Sequence, residues 1–152
     1  MDKLRQLIVD YMTEQKLMQL ATVGKDGPWI CTVWQAFDDQ LNIYFFSATN
    51  RLHSQQIEVN TKVAGALAKP HTVTDKPRAV QFSGSATKLT AAEDIKKARL
   101  VYEGRIFDSE TIDKLMVHPE RPHAFYKIVP DKIVLFDVEN YPDNSRMEYI
   151  PS

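Results

Sequence analysis

The chain has 152 residues, 43% of them hydrophobic, which is enough for one domain with a buried core and argues against a second. Its 19 basic and 20 acidic residues leave a net charge of -1 and no basic stripe, which disfavours a nucleic-acid partner. Cys31 is the only cysteine, so no intramolecular disulfide can form, and a reducing compartment is expected. The polar start Met1-Asp2-Lys3-Leu4-Arg5-Gln6 does not read as a signal peptide, and no apolar run is long enough to span a bilayer. A cytoplasmic protein away from membranes is the expectation.

Leu4, Leu7, Ile8, Tyr11 and Met12 recur at helical spacing and predict an amphipathic helix over residues 3–15. Leu17 to Val23 reads as a strand, and Gly24-Lys25-Asp26-Gly27-Pro28 as a turn. Trp29 to Phe37, rich in aromatic and β-branched residues, turns at Asp38-Asp39-Gln40 into Leu41 to Ser47, predicting a hairpin. A short helix is expected from Arg51 to Val59, with Thr49 or Asn50 as its N-cap. Lys62 to Ala68 and Ala79 to Leu89 read as strands. Thr90 and Glu93 then form a capping-box pattern for a helix running to about Glu103. Ser109 to Val117 predicts one more helix. Ala124 to Val129 and Lys132 to Val138 read as the last strands, linked at Pro130-Asp131, and the tail over 139–152 shows no periodicity. Hairpin-joined strands without strand–helix alternation indicate an α+β protein: a six- to seven-stranded antiparallel sheet closing into a barrel, with peripheral helices.

Ser47-Ala48-Thr49-Asn50-Arg51-Leu52-His53-Ser54 places hydroxyls, an amide, a guanidinium and an imidazole where a helix begins. Unpaired backbone N–H groups and the positive end of the helix dipole suit such a place to a phosphate. On the residues alone, Thr49 and Asn50 are ordinary caps and Arg51 a solvated first-turn residue. Cys31 reads as a small buried residue, and the histidines show no metal-ligand spacing, so no metal site is expected. No nucleophile with a neighbouring base is visible, which disfavours a Ser-His-Asp hydrolase.

In order and spacing these pieces resemble the flavin-binding split-barrel family typified by pyridoxamine 5′-phosphate oxidase, and its small bacterial members in particular. The resemblance rests on Leu20-Ala21-Thr22 before Gly27-Pro28, Tyr44-Phe45-Phe46-Ser47, and the helix after Arg51. Lys62-Val63-Ala64-Gly65, Val80-Gln81-Phe82-Ser83-Gly84 and the closing strands over Ile128 to Phe136 complete it. It implies a homodimer of split barrels with FMN at the interface. Thr32, Val33 and Trp34 would lie along the flavin ring, and Gln81 would approach it. Phe46, Ser47, Thr49, Arg51 and His53 would surround its phosphate. Two departures disfavour oxidation of pyridoxamine phosphate itself. Leu52-His53 replaces the family's Arg-Lys pair, and Arg121-Pro122-His123 precedes a strand instead of closing the chain.

The expected function is an FMN-dependent oxidoreductase passing hydride or electrons between a small donor and an acceptor, with the cofactor carrying the chemistry. The alternatives are a non-catalytic flavin, deazaflavin or haem binding protein such as a sensor, or a dimeric interaction module without cofactor. The fold alone does not separate them.

Overall fold

A computed structural model describes residues 2–152. The elements, in chain order, are α1 (Lys3–Glu14), β1 (Leu17–Gly24), β2 (Gly27–Trp34), β3 (Ala36–Phe37), β4 (Ile43–Ala48) and α2 (Leu52–Val59). They continue with β5 (Lys62–Leu67), β6 (Arg78–Lys88), α3 (Ala92–Tyr102), α4 (Ser109–Met116), β7 (His123–Asp137) and β8 (Arg146–Tyr149). Every strand pairing is antiparallel, in the order β2-β1-β5-β6-β7-β4-β3, with β8 added alongside β7. β2 and β3 thus stand at opposite ends of the sheet, although only Gln35 separates them in sequence. The sheet therefore curls into the split barrel expected of the α+β class.

Gln35 sits at that crossing and is fully buried. Its side-chain amide donates to Met12 O at 2.9 Å and Gln15 O at 2.8 Å, and its backbone N–H to Lys16 O at 2.9 Å. The predicted strand from Trp29 to Phe37 is consequently two strands serving different edges. The β1–β2 hairpin has a two-residue loop, Lys25-Asp26, closed by Gly24 opposite Gly27. Gly27 takes a φ of +114°, which glycine adopts without Cβ strain.

Two cores flank the sheet. Met18 and Leu20 from β1, Ile43 and Phe45 from β4, and Tyr126 and Ile128 from β7 fill the barrel, where Leu4, Ile8, Tyr11 and Met12 of α1 join them. The opposite face of β4 and β7 packs Tyr44, Phe46 and Phe125 against Ala98 and Tyr102 of α3 and Ile112 of α4.

Several local expectations are corrected. α2 starts after Arg51 with no side-chain cap, because the hydroxyl of Thr49 and the amide of Asn50 bond to a distant loop instead. No capping box forms at Thr90 and Glu93: α3 begins after Ala91, also without a side-chain cap bond. The last two predicted strands are one, β7. Pro130 falls within it opposite Gly84, and Asp131 is an extra residue that bulges out of the ladder between Ser83 and Gly84. A Cβ at Gly84 would sit 2.4 Å from Val129 O, so only glycine lets the bulged strand approach this closely. The tail contributes β8, whose Arg146 to Tyr149 pair with Phe136 to Ile133.

Candidate functional site

Ser47, the last residue but one of β4, faces the barrel interior in line with Ile43 and Phe45, just before the Thr49-Asn50 turn. α2 then brings His53 back beside it. Ser47 Oγ and His53 Nε2 lie 2.8 Å apart, and both side chains are buried. Burial is the largest cause holding the His53 imidazole below its ordinary pKa, and the Arg51 charge adds to it. Arg51 itself is exposed and makes no ion pair among the described residues.

The turn is fixed by a segment that the sequence reading did not connect to it. Thr49 donates its backbone N–H (2.9 Å) and its hydroxyl (3.2 Å) to Pro122 O, and the Asn50 amide donates to Glu120 O at 3.2 Å. His123, opposite Ala48 in the β4–β7 ladder, contacts Arg121 O through Nδ1 at 2.8 Å and lies 5.2 Å from the Phe46 ring. Its pKa is lowered mainly by burial. The Arg121 carbonyl raises it, while the charges of Arg121, His118 and Arg51 lower it further. Arg51, Arg121 and His118 therefore lie within electrostatic reach of His123, and Arg51 also of His53, so the two arginines give the β4–α2 turn a field that favours an anion. A strand-pairing argument placing His123 beside Ala48 could have joined the two segments from sequence; their separation of about seventy residues concealed it.

A second group of expected residues lies on the outer face of the sheet. In β1 and β2, Met18, Leu20, Thr22 and Val33 point into the barrel, so Leu17, Gln19, Ala21, Ile30, Thr32 and Trp34 point away from it. The Thr32 hydroxyl donates to Gln19 Oε1 at 2.7 Å. Gln19 and Gln81 flank a concavity of about 350 Å³, walled by Ala21, Ile30, Ala64 and Ala66. Ile30 is 62% exposed. Val33 faces the barrel core and could offer a ligand only its backbone. Phe46 packs into the second core with Tyr102 and Phe125, on the face of β4 opposite to Ser47. Trp34, 44% exposed, stands at the end of β2 beside Lys16 and Arg105.

The described residues thus hold three neighbourhoods: an anion-favouring turn, an outer face of alanines and carboxamides, and a tryptophan-lined cleft. The architecture around them is that of an antiparallel α+β split barrel. The sequence profile of pyridoxamine 5′-phosphate oxidase matches residues 4–135, and the chain belongs to that family. Among solved structures, a conserved hypothetical protein from Mycobacterium tuberculosis is 20% identical, with a TM-score of 0.73 over 95% of this chain and 89% of its own. A pyridoxamine 5′-phosphate oxidase-related, FMN-binding protein from Nostoc punctiforme is 15% identical, with a TM-score of 0.68 over 97% and 89%. The haem storage protein HutZ from Vibrio cholerae is 19% identical, with a TM-score of 0.69 over 85% and 91%. All three share the fold. No helix among the described residues is long and apolar enough to cross a membrane.

Proposed function

We propose that this chain is an FMN-binding flavoprotein that works as a homodimer and transfers hydride or electrons between a small donor and an acceptor. The observation that carries the reading is the outer face of β1, β2, β5 and β6. Ile30, Ala21, Ala64 and Ala66 form an apolar wall with carboxamides at its edge, and Leu17, Ile30 and Trp34 stand exposed around it. Exposed apolar surface of this kind is costly in water and suits a second copy of the chain.

The residues fit the cofactor. A flavin ring needs an apolar wall and polar partners for its pyrimidine edge, which the alanine face, the Thr32–Gln19 pair and Gln81 supply. Its phosphate needs cations and donors, which Arg51, Ser47 and His53 would offer, with Arg121 close by, whereas the expected Thr49 already gives its N–H and hydroxyl to Pro122 O. FMN bound there would supply reversible two-electron chemistry, while the chain places it, shields it from water and hydrogen-bonds its edge. The FMN-binding relative of the same fold supports this reading.

The haem storage relative motivates a second reading. Iron requires an imidazole nitrogen free to coordinate. His53 Nε2 is engaged by Ser47, but His123, held by Arg121 O through Nδ1, keeps its Nε2 for a metal, so the absorption spectrum decides between the two cofactors.

The test is the absorption spectrum and solution mass of the protein as isolated and after incubation with FMN. Flavin bands on a dimer are expected, and a Soret band would establish the haem reading instead. Bleaching of the bound flavin on mixing with a reduced nicotinamide would separate an enzyme from a storage protein. A colourless monomer that ignores added FMN would end the proposal.

A further inference from the structure

Between α4 and β7 the chain runs His118-Pro119-Glu120-Arg121-Pro122-His123, and every backbone donor and acceptor over 120–122 has a partner. The Glu120 carbonyl accepts from the Asn50 amide at 3.2 Å and the Arg121 carbonyl from His123 Nδ1 at 2.8 Å. The Pro122 carbonyl accepts from both the N–H and the hydroxyl of Thr49, at 2.9 and 3.2 Å. Proline has no N–H, so the remaining donors are the N–H groups of Glu120 and Arg121. Both end on one atom, His118 Nδ1, at 3.3 and 3.1 Å.

This geometry fixes the state of the imidazole. An Nδ1 that accepts from two backbone N–H groups carries no proton, so the neutral ring holds its hydrogen on Nε2. The ring's own place is set from α4. The His118 N–H donates to Leu115 O at 3.3 Å, and α4 is anchored by Ile112, fully buried in the second core. His118 therefore joins a packed helix to the loop whose carbonyls hold the β4–α2 turn.

Glu120 and Arg121 are exposed, so water can replace a lost acceptor at small cost in stability. Water does not replace the direction that Nδ1 imposes on the Glu120 and Pro122 carbonyls. Nor does it replace the placing of Arg121, whose charge reaches His123. We propose that His118 is a positioning residue: its unprotonated Nδ1 orders the loop over 120–122, and through it the β4–α2 turn, which sets the preference of that turn for a phosphate-bearing ligand. That preference presupposes the flavin site proposed above, whereas the ordering of the turn does not.

Three full-length proteins separate the two: native, His118→Ala and His118→Asn. The Asn carboxamide oxygen can accept from the same two N–H groups, as in an Asx turn, and it carries no charge. Rescue by Asn is therefore positional, not electrostatic. Without ligand, amide hydrogen exchange at Thr49 is expected to quicken by at least about tenfold in His118→Ala and to return near the native rate in His118→Asn. Global unfolding should stay nearly unchanged in both. With ligand, the preference for FMN over riboflavin should fall by about threefold to tenfold in His118→Ala and recover in His118→Asn, with riboflavin affinity alike in all three. Native exchange at Thr49 in His118→Ala, or no rescue by Asn, would overturn the positioning role. His118-dependent exchange with an unaltered FMN preference would overturn its link to phosphate. A native protein that ignores both flavins while Thr49 still depends on His118 would support the ordering role and overturn the flavin reading alone.

Discussion

Ser47 Oγ and His53 Nε2 meet at 2.8 Å at the buried end of the barrel, one from the penultimate residue of β4 and the other from the first turn of α2. The contact ties the start of α2 to β4 where no side-chain cap does so. Ser47→Ala would leave a buried imidazole nitrogen without its partner and is expected to cost about 1–3 kcal/mol, read by urea unfolding. Because both groups also belong to the proposed phosphate site, the stability loss should be measured without FMN.

The same imidazole carries a pH dependence. Burial, reinforced by Arg51, holds the His53 pKa below the ordinary histidine value of 6.5. The unfolded chain therefore binds the proton first as pH falls, and stability declines below about pH 6.5 while staying level above it. His123 shifts in the same direction and adds to the decline. An NMR titration should place the His53 midpoint below the free-histidine value; a midpoint at or above that value would refute the buried, neutral imidazole.

A carboxylate at the far end of β7 has the opposite sign. Burial alone would push the Asp137 pKa up, but it is outweighed by the backbone and side-chain N–H groups of Asn140, at 2.9 and 2.8 Å, and by Arg78 at 3.1 Å. Its net pKa is lowered, so the stability it contributes is present above the ordinary aspartate range and lost as pH falls below it. Asp137→Asn is expected to cost about 1–3 kcal/mol near neutral pH. The gap between variant and native protein should close on acidification. A gap that stays constant from about pH 7 to about pH 3 would show that the ionised form contributes nothing.

Gly65 and Phe82 face each other across the β5–β6 ladder, and a Cβ at Gly65 would lie 2.2 Å from the Phe82 ring and 3.0 Å from Gln19 O. Gly65→Ala should therefore destabilise the protein by about 1–3 kcal/mol through overpacking, and adding Phe82→Leu should recover part of that loss. If Gly65→Ala alone is neutral in chemical denaturation, the ring does not rest on the glycine.

The barrel was readable from sequence because its signals are local. Alternation in Ala79 to Leu89, turn chemistry at Gly24 to Pro28 and the apolar spacing of α1 each act within one element, and each survives in the fold. What escaped depends on partners far away in the chain. Thr49 and Asn50 look like caps until Pro122 and Glu120 take their hydrogen bonds. The single residue Gln35 divides one aromatic strand between two sheet edges only because α1 supplies carbonyls for its amide. Of the expected site residues, Ser47 and His53 are brought together, with Arg51 close enough to shift the imidazole. Thr32 and Gln81 share the outer face. Val33 and Phe46 turn into the two cores, a choice of face that a strand two residues in period assigns only once its register is known.

Arg51 offers the sharpest separation of the phosphate assignment from general stability. Its side chain is exposed and free of ion pairs among the described residues, so Arg51→Ala should leave unfolding nearly unchanged. If the guanidinium grips the FMN phosphate, its loss removes a charge-assisted contact of about 1.5–3 kcal/mol, roughly ten- to a hundredfold in affinity. Riboflavin, which has the same ring without the phosphate, should bind native and variant proteins alike, so the preference for FMN over riboflavin is the quantity to measure. Replacing Arg121 as well should lower that preference further, since both charges act on His123, opposite Ala48 at the end of β4. A preference that survives both substitutions would place the phosphate elsewhere and leave the cationic turn as a means of holding β4 to β7.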